Sequence, residues 1–228
     1  MRSPGLRLIT ALAVFTTYSA IAADSVEVKV IGTIVPAACT PSIVGGATID
    51  YGTIKSSTLT ADNYTLLPVK HLDLAITCDA PAKVALSLMD IKSDSGTALA
   101  GLTLLDSSAL STQLGLGQQN GKNIGAYAIS LTRDALYVDG QNADTISAAS
   151  TLKWSVIADR LYFRDTDNLV SFSQKGATTP MAFTTLNASL EVQAAINKGS
   201  ELDLTRPSIW TACQLLSCII CNTANTPD

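Results

Sequence analysis

The sequence predicts an all-β fold in which antiparallel strands pack as an immunoglobulin-like β-sandwich. Apolar residues alternate with polar ones at a period of two along several stretches, which is the pattern of half-buried strands. These stretches are short and end at glycine, proline, asparagine or aspartate, the residues that favour turns. No window of a dozen residues shows a 3.6-residue amphipathic pattern. Many short strands without helices are typical of two sheets packed face to face.

The first 23 residues are predicted to be a signal peptide. Arg2 and Arg7 form a basic n-region, residues 8–18 are apolar with interspersed threonines, and Ala20-Ile21-Ala22 is a small-x-small cleavage site. The apolar run is shorter than the roughly 20 residues that span a bilayer. We therefore expect cleavage after residue 22 or 23 and an exported mature chain with no membrane span.

The predicted strands follow one another along a single domain, residues 24–206. Their alternating apolar positions are Val26, Val28 and Val30; Leu72, Leu74 and Ile76; Val84, Leu86 and Leu88; Tyr127, Ile129 and Leu131; and Leu190, Val192, Ala194 and Ile196. Turns or loops are predicted at residues 41–46, 79–81, 94–96, 120–121, 139–140 and 197–199. No internal repeat, linker or charge block suggests a second domain.

Residues 207–228 are predicted to be an atypical, poorly ordered tail. Residues 208–221 keep no period of two, so we expect the sandwich to lack its final strand. Cys213, Cys218 and Cys221 crowd into nine residues of this tail, with the spacing C-x4-C-x2-C. That spacing resembles an iron–sulfur ligand run. The chain is expected to be exported and no glycine-rich loop surrounds the three cysteines, so we predict no metal site.

The other two cysteines, Cys39 and Cys78, fall in strand-like sequence. An oxidising compartment would let them pair, closing a loop worth on the order of 4 kcal/mol in the chain-entropy model. The alternative is a pair of buried free thiols, which is common in cytosolic proteins. We favour the disulfide because the leader predicts export.

The charge of the chain excludes nucleic acid as the expected partner. The full chain carries a formal charge of −4, and the signal peptide removes two arginines and no acid. The mature chain is therefore more acidic still, whereas nucleic-acid binding requires clustered positive charge.

The sequence offers little for catalysis. His71 is the only histidine, and its neighbour on the same strand face, Asp73, does not orient an imidazole towards a nucleophile. A second cluster contains Asp159, Asp165 and Asp167 together with Arg160 and Arg164; we interpret it as a solvated loop rather than a carboxylate pair. We expect no catalytic residue, no cofactor and no enzymatic activity.

Several short motifs resemble those of a known family. The sequence is similar to the GltF-like family of exported, fimbria-associated bacterial proteins and, more distantly, to chaperone–usher fimbrial subunits. Gly32 stands seven residues before Cys39, as a glycine does before the first cysteine of those subunits. The similarity covers roughly residues 24–200 and is carried by Ile31–Pro41, Ile49–Gly52, Ile76–Pro81, Leu114–Gly117 and Ile124–Tyr127.

The resemblance implies a pilin-like sandwich that lacks its last strand and is completed by a strand from another chain. In such subunits a disulfide joins neighbouring strands, here Cys39 and Cys78. Strand addition uses main-chain hydrogen bonds for affinity and alternate side chains for specificity. Val26, Val28, Val30, Gly32 and Ile34 are then the candidate residues for such a donor strand, or for the protein's own first strand.

The expected function is that of a structural or interaction protein of the bacterial envelope, similar to a fimbrial subunit or an adhesin. The resemblance implies a periplasmic chaperone and other fimbrial subunits as partners, in the periplasm or on a cell-surface fimbria. The alternative is a self-complete periplasmic β-sandwich that binds a small molecule or a sugar.

Overall fold

The structure is a computed structural model of the 228-residue chain. It describes residues 37–90, 98–149, 153–157, 159–163, 169–206 and 214–220. The predicted signal peptide and the candidate strand residues Val26, Val28, Val30, Gly32 and Ile34 lie outside the described residues. Within the described part of the chain the all-β, antiparallel prediction is confirmed: it contains strands and short 3-10 helices and no α-helix.

The strands are numbered in chain order. They are β1 (Cys39–Val44), β2 (Thr65–Leu66), β3 (Lys70–Asp90), β4 (Leu114–Gly115), β5 (Gln118–Gln119), β6 (Lys122–Asn123), β7 (Gly125–Val138), β8 (Gln141–Asn142), β9 (Asp144–Ala148), β10 (Ser155–Val156), β11 (Arg160–Tyr162), β12 (Leu169–Ser173), β13 (Ala182–Ile196) and β14 (Gln214–Ile220). Single 3-10 turns lie at Ser56–Thr58, Leu110–Thr112 and Gly199–Glu201.

Strand β3 organises the fold because it belongs to both halves of the sheet. Its first half, up to Cys78, pairs with β1 and β13, and its second half, from Val84, pairs with β12 and β14. The first half of the sheet therefore has the order β1-β3-β13-β7-β11 and the second has the order β14-β3-β12-β9-β10. The two layers expected of a sandwich are joined in one continuous, strongly curled sheet.

The turn predicted at residues 79–81 is wrong, since these residues lie inside β3. The register between β3 and β13 shifts there: residues 78–81 of β3 face only Thr184, which lies between the paired residues Phe183 and Thr185. Extra residues on one strand bend that strand without ending it. The Asp-Ala-Pro sequence that looked like a turn is the bend at which β3 passes from one half of the sheet to the other.

One hydrophobic core joins the two halves. Leu74 and Ile76 come from the first half of β3, Val84 and Leu86 from the second half, and each is at most 1% exposed. The rings of Phe172 on β12 and Phe183 on β13 meet edge to face, with centroids 6.1 Å apart, an arrangement that aromatic pairs favour. The inner faces of the two halves therefore pack against each other as two sandwich layers would.

The predicted turns at 120–121 and 139–140 are confirmed. Asn120 and Gly121 join β5 to β6, and Asp139 and Gly140 join β7 to β8; all four residues have positive φ angles, between 47° and 78°. Two consecutive positive φ angles define a type I′ turn, which matches the twist of a two-residue hairpin.

Asp139 also ties its turn to β13. Its Oδ1 accepts hydrogen bonds from the backbone N–H groups of Thr185 (2.8 Å) and Thr184 (3.1 Å) and from both threonine hydroxyls. These bonds, above all the one from the Thr185 backbone, hold the pKa of Asp139 below its usual value. The turn is thus anchored beside the bend of β3.

The tail contributes one strand. The backbone of β14 pairs with β3 from Gln214 opposite Asp90 to Ile220 opposite Val84. The sequence predicted no strand here because its side chains do not alternate, but the pairing requires only the backbone groups that every residue except proline carries. The remaining tail residues, 207–213 and 221–228, lie outside the described residues, and the domain boundary at residue 206 stays a prediction.

Candidate functional site

Strand β1 has one edge that no strand covers in the described part of the chain. It pairs with β3 in antiparallel register, from Cys39 opposite Cys78 to Val44 opposite Asp73. An unpaired strand edge presents backbone donors and acceptors to any extended chain that approaches it. This open edge of β1, residues 39–44, is the candidate functional site.

The start of β1 is fixed to the sheet by covalent and hydrogen bonds. The structure contains the expected disulfide between Cys39 and Cys78. Asp79 donates its backbone N–H to the carbonyl of Ala38 (3.0 Å), and the Ala38 N–H returns a bond to Asp79 Oδ1 (2.8 Å). The edge is therefore held in place before any partner reaches it.

The same bonds show which backbone groups of β1 face outwards. The Ala38 carbonyl points at β3, so the backbone N–H and C=O groups of every second residue after it, including Thr40 and Ser42, also point at β3. The backbone groups of Cys39, Pro41 and Ile43 then point away from β3, towards the open edge. The Ile43 carbonyl accepts a hydrogen bond from the Gly46 N–H at 3.2 Å. The edge thus offers two donors, the N–H groups of Cys39 and Ile43, and two acceptors, the carbonyls of Cys39 and Pro41.

Pro41 limits what can bind at this edge. Proline has no N–H, and within sheets it is found on edge strands where that position faces away from the neighbouring strand. Its place in the middle of β1 removes one donor, so the edge is a weaker template for indiscriminate pairing. A partner strand must make its bonds on either side of this residue.

Apolar side chains surround the edge. Ala37, Cys39 and Ile43 are half-buried and pack against the core cluster, while Val44 leaves 64% of its surface exposed. A strand that adds to β1 would cover this apolar surface as well as the free backbone groups. The segment that precedes it in sequence, residues 26–34, carries the candidate strand residues and lies outside the described residues.

Among the residues that it describes, the structure does not assemble the candidate catalytic side chains into a site. His71 and Asp73 are both exposed on β3, where they lie opposite Glu191 and Ser189 of β13. Asp159 is exposed, and the other two carboxylates of its sequence cluster lie outside the described residues. Among the residues that the structure describes, no three His, Cys, Asp or Glu side chains form a group that could hold a metal ion.

Arg160 of that cluster forms an ion pair that the sequence did not reveal. Its guanidinium binds Glu191 of β13, donates to the Ser130 hydroxyl at 3.0 Å and lies 3.8 Å from the Asp106 carboxylate. Arg160 and Glu191 leave 23% and 20% of their side chains exposed. The ion pair therefore holds β11 against β7 and β13, which is a structural role.

Beside this pair lies a turn with unusual backbone angles. Leu105 and Asp106 have φ angles of 47° and 67°, although left-handed conformations disfavour residues such as leucine. The Leu105 N–H donates to Gln193 Oε1 at 2.8 Å and its carbonyl accepts a bond from the Tyr162 hydroxyl. Burial raises the pKa of Tyr162. Tertiary contacts from β11 and β13 hold this turn.

Two of the motifs that suggested the family are explained by packing. Gly52 donates its N–H to Asp50 Oδ1 (2.7 Å), and Tyr51 donates its hydroxyl to the Val192 carbonyl (3.3 Å), so that Ile49–Gly52 fastens a loop to β13. Burial raises the pKa of Tyr51. Gly125, at the start of β7, leaves no room for a side chain: a Cβ there would lie 2.2 Å from the Ala195 carbonyl oxygen.

These features define a disulfide-bonded, all-β protein with a fastened but open edge strand. Residues 28–128 match the model of a family described as "Protein of unknown function (DUF1120)". Across most of its length the chain also resembles two proteins of Escherichia coli (strain K12). It is 31% identical to "Protein GltF" over 216 residues, which cover 81% of this chain and 85% of that protein. It is 28% identical to "Uncharacterized protein YhcF" over 212 residues, which cover 84% of this chain and 89% of that protein.

The chain belongs to the DUF1120 family and is a relative of GltF. The similarity to GltF predicted from the short motifs is therefore confirmed. The disulfide is typical of proteins in oxidising compartments outside the cytoplasm. In the part of the chain that the structure describes, no helix is long and apolar enough to cross a bilayer.

Proposed function

We propose that this protein is a non-enzymatic structural or interaction protein of the bacterial envelope, similar to a fimbrial subunit or an adhesin, which assembles by β-strand addition. The observation that supports the proposal is the open edge of β1. A fixed strand with free backbone groups and a half-buried apolar flank is what an added strand needs. The proposed location is the periplasm or the cell surface, and the proposed partners are a periplasmic chaperone and further subunits.

The sequence supplies a strand that could add to such an edge. Val26, Val28 and Val30 occupy alternate positions, so in an extended segment they lie on one face. That face could cover the apolar surface formed by Ala37, Cys39 and Ile43 on another copy of the chain, while its backbone bonds to β1. In the proposed assembly the segment of one copy completes the sheet of the next.

A peptide that copies residues 24–35 tests this proposal on the purified, oxidised mature chain. Saturation with a specific ligand at 100 times its Kd stabilises the folded state by about 2.7 kcal/mol. For a domain of this size that corresponds to a rise in Tm of about 5–10 °C. The matched control peptide carries aspartate in place of Val26, Val28 and Val30, and we expect it to leave the Tm unchanged.

Amide hydrogen exchange locates the bound peptide. The Cys39 and Ile43 amides face outwards, so we expect their exchange to slow when the peptide binds. The Thr40 and Ser42 amides already bond to β3 and serve as the internal control. If neither outward amide gains protection and the Tm does not change, the strand-addition proposal is wrong.

A further inference from the structure

A cleft of about 340 Å³ lies at one end of the described sheet, away from the open edge of β1. Its walls are the 3-10 turn Ser56–Thr58, the β5–β6 hairpin and the chain that follows β13, up to Arg206. Ligand sites in proteins are commonly clefts of about 300–1,000 Å³ that are mostly apolar with a few polar groups. The size of this cleft falls within that range.

Hydrogen bonds tie the chain after β13 to the loop that follows the Ser56–Thr58 turn. Gly199 donates its N–H to the Thr60 carbonyl at 2.8 Å, and Ser200 donates its N–H (3.1 Å) and its hydroxyl (2.7 Å) to the Ala61 carbonyl. The approach is close, since a Cβ at Gly199 would lie 3.1 Å from Thr60 O. These two walls therefore keep a fixed separation.

The hairpin wall is tied to the same segment. Asn197, which is 7% exposed, donates its backbone N–H to the Ile124 carbonyl and its side-chain Nδ2 to the Asn123 carbonyl, both at 2.8 Å. An exposed ion pair joins Lys122 to Glu201 at 2.7 Å. All three walls are thus cross-linked, and a preformed site loses less conformational entropy when a ligand binds.

The lining of the cleft is apolar inside and polar at the rim. Ile124 and Ile196 are buried, and Ile54, Leu59 and Leu202 are half-buried. These five side chains offer no hydrogen bond to a ligand. They therefore favour an apolar body.

One cation on the rim is available to a ligand. Arg206 forms no ion pair or hydrogen bond with another residue that the structure describes. The nearby Asp203 carboxylate accepts bonds from the N–H and hydroxyl of Thr205, and the hydroxyl bond is the main reason that its pKa is lowered. Asp203 is therefore already hydrogen-bonded to Thr205. Guanidinium groups favour carboxylates as partners, so the ligand group that suits Arg206 is a carboxylate.

We propose that this cleft binds a small apolar carboxylate, with its hydrocarbon body on the isoleucine and leucine side chains and its carboxylate at Arg206. One water molecule occupies about 30 Å³ in the liquid, and counting the same volume for each non-hydrogen atom of a ligand gives room in the cleft for a molecule of roughly ten such atoms. Octanoate has this size and this chemistry. The proposal does not depend on strand addition, and it assigns a specific site to the alternative of small-molecule binding.

Calorimetric titration of the mature chain with octanoate tests the charge contact. We expect Arg206→Gln, at an exposed position, to weaken octanoate binding about fivefold, the upper range for an exposed ion pair. Lys175→Gln removes an exposed cation from a different turn and should leave the affinity unchanged. The neutral 1-octanol should bind wild type and Arg206→Gln equally.

A second variant and the location of binding complete the test. Ser56→Tyr places a ring at the rim without altering a buried residue, and we expect it to abolish the binding of both compounds. Amide chemical shifts of the labelled protein should move at Ile124 and Leu202. Absence of octanoate binding, equal affinity in Arg206→Gln, or shifts confined to other parts of the protein would each overturn the proposal.

Discussion

Replacing Gly125 by alanine adds a single methyl group at one of the closest approaches in the sheet. The new Cβ would lie 2.2 Å from the Ala195 carbonyl oxygen and 2.9 Å from Leu116 Cδ1. Ordinary van der Waals contact requires about 3.5 Å, so β7 and β13 must separate by roughly 1 Å at this end. The carbonyl oxygen belongs to the backbone of the neighbouring strand, so it cannot move aside as the tip of a flexible side chain could.

That separation breaks specific hydrogen bonds. The Asn197 N–H donates to the Ile124 carbonyl at 2.8 Å, and the register of β7 with β13 makes the Ala126 N–H to the Ala195 carbonyl the next bond across the same gap. An opening of about 1 Å takes such bonds beyond the distance at which they contribute. Two bonds at about 1 kcal/mol each and at least about 1 kcal/mol of overpacking predict a loss of about 3 kcal/mol.

Urea unfolding followed by far-UV circular dichroism measures this loss, and the Tm should fall by about 6–12 °C. Gly121→Ala is the matched control because it makes the same chemical change in open space. No atom lies within 4 Å of the Cβ there, and the cost comes only from the φ angle of 76°, which predicts about 1 kcal/mol. If the two variants lose equal stability, the close approach of β7 and β13 does not explain why glycine occupies position 125.

Two further predictions concern the disulfide and the turn at Asp139. The double variant Cys39→Ala/Cys78→Ala should lose about 4 kcal/mol of unfolding free energy, measured with urea, because the bond joins residues separated by 39 positions. The reduced wild type should show the same loss. A loss below about 1 kcal/mol would contradict the reasoning. The pKa of Asp139 is lowered in the folded state, chiefly by the hydrogen bond from the Thr185 N–H. Its carboxylate therefore stabilises the fold at pH values above the unfolded-state pKa of about 3.9. This contribution disappears as the pH falls through the folded-state pKa. Asp139→Asn should therefore be less stable than wild type at pH 7, and the difference in stability should be smaller at pH 2. The midpoints of urea unfolding at the two pH values measure this difference. An equal difference at pH 7 and pH 2 would refute the reasoning.

The parts of the fold that depend on local sequence were predictable. Period-two alternation located the cores of β7 and β13, and Asn-Gly and Asp-Gly pairs located two hairpin turns, because both signals act within a few residues. The pairing of Cys39 with Cys78 followed from the compartment that the leader implied. None of these three inferences required the tertiary structure to be known beforehand.

The predictions from sequence were wrong where tertiary contacts determine the backbone conformation. Asp79 and Pro81 are typical of a turn, yet they lie in a continuous strand because β13 pairs with β3 both before the bend, up to Thr77, and after it, from Ala82. Leu105 occupies a left-handed conformation that its residue type disfavours. Two backbone bonds between Leu104 and Ser107 close this turn, and bonds to Gln193 and Tyr162, which lie far away in sequence, hold it in place.

The candidate site was only partly predictable. The alternating valines drew attention to the N-terminal segment, but the direction in which each backbone group of β1 points depends on its register with β3. That register shows that Pro41 lies on the outward side. A proline two residues after a cysteine in the sequence does not reveal this.

The 21-residue length of β3 also determines when the protein can fold. A chain that is synthesised from its N-terminus presents β3 early, whereas its partner β13 follows roughly 110 residues later. Until then a long strand with an apolar inner face has no neighbour for most of its hydrogen bonds. The newly made chain is therefore most vulnerable to aggregation just before its last third arrives, and a protein that shields β3 during that interval would increase the yield of the folded form without being part of it.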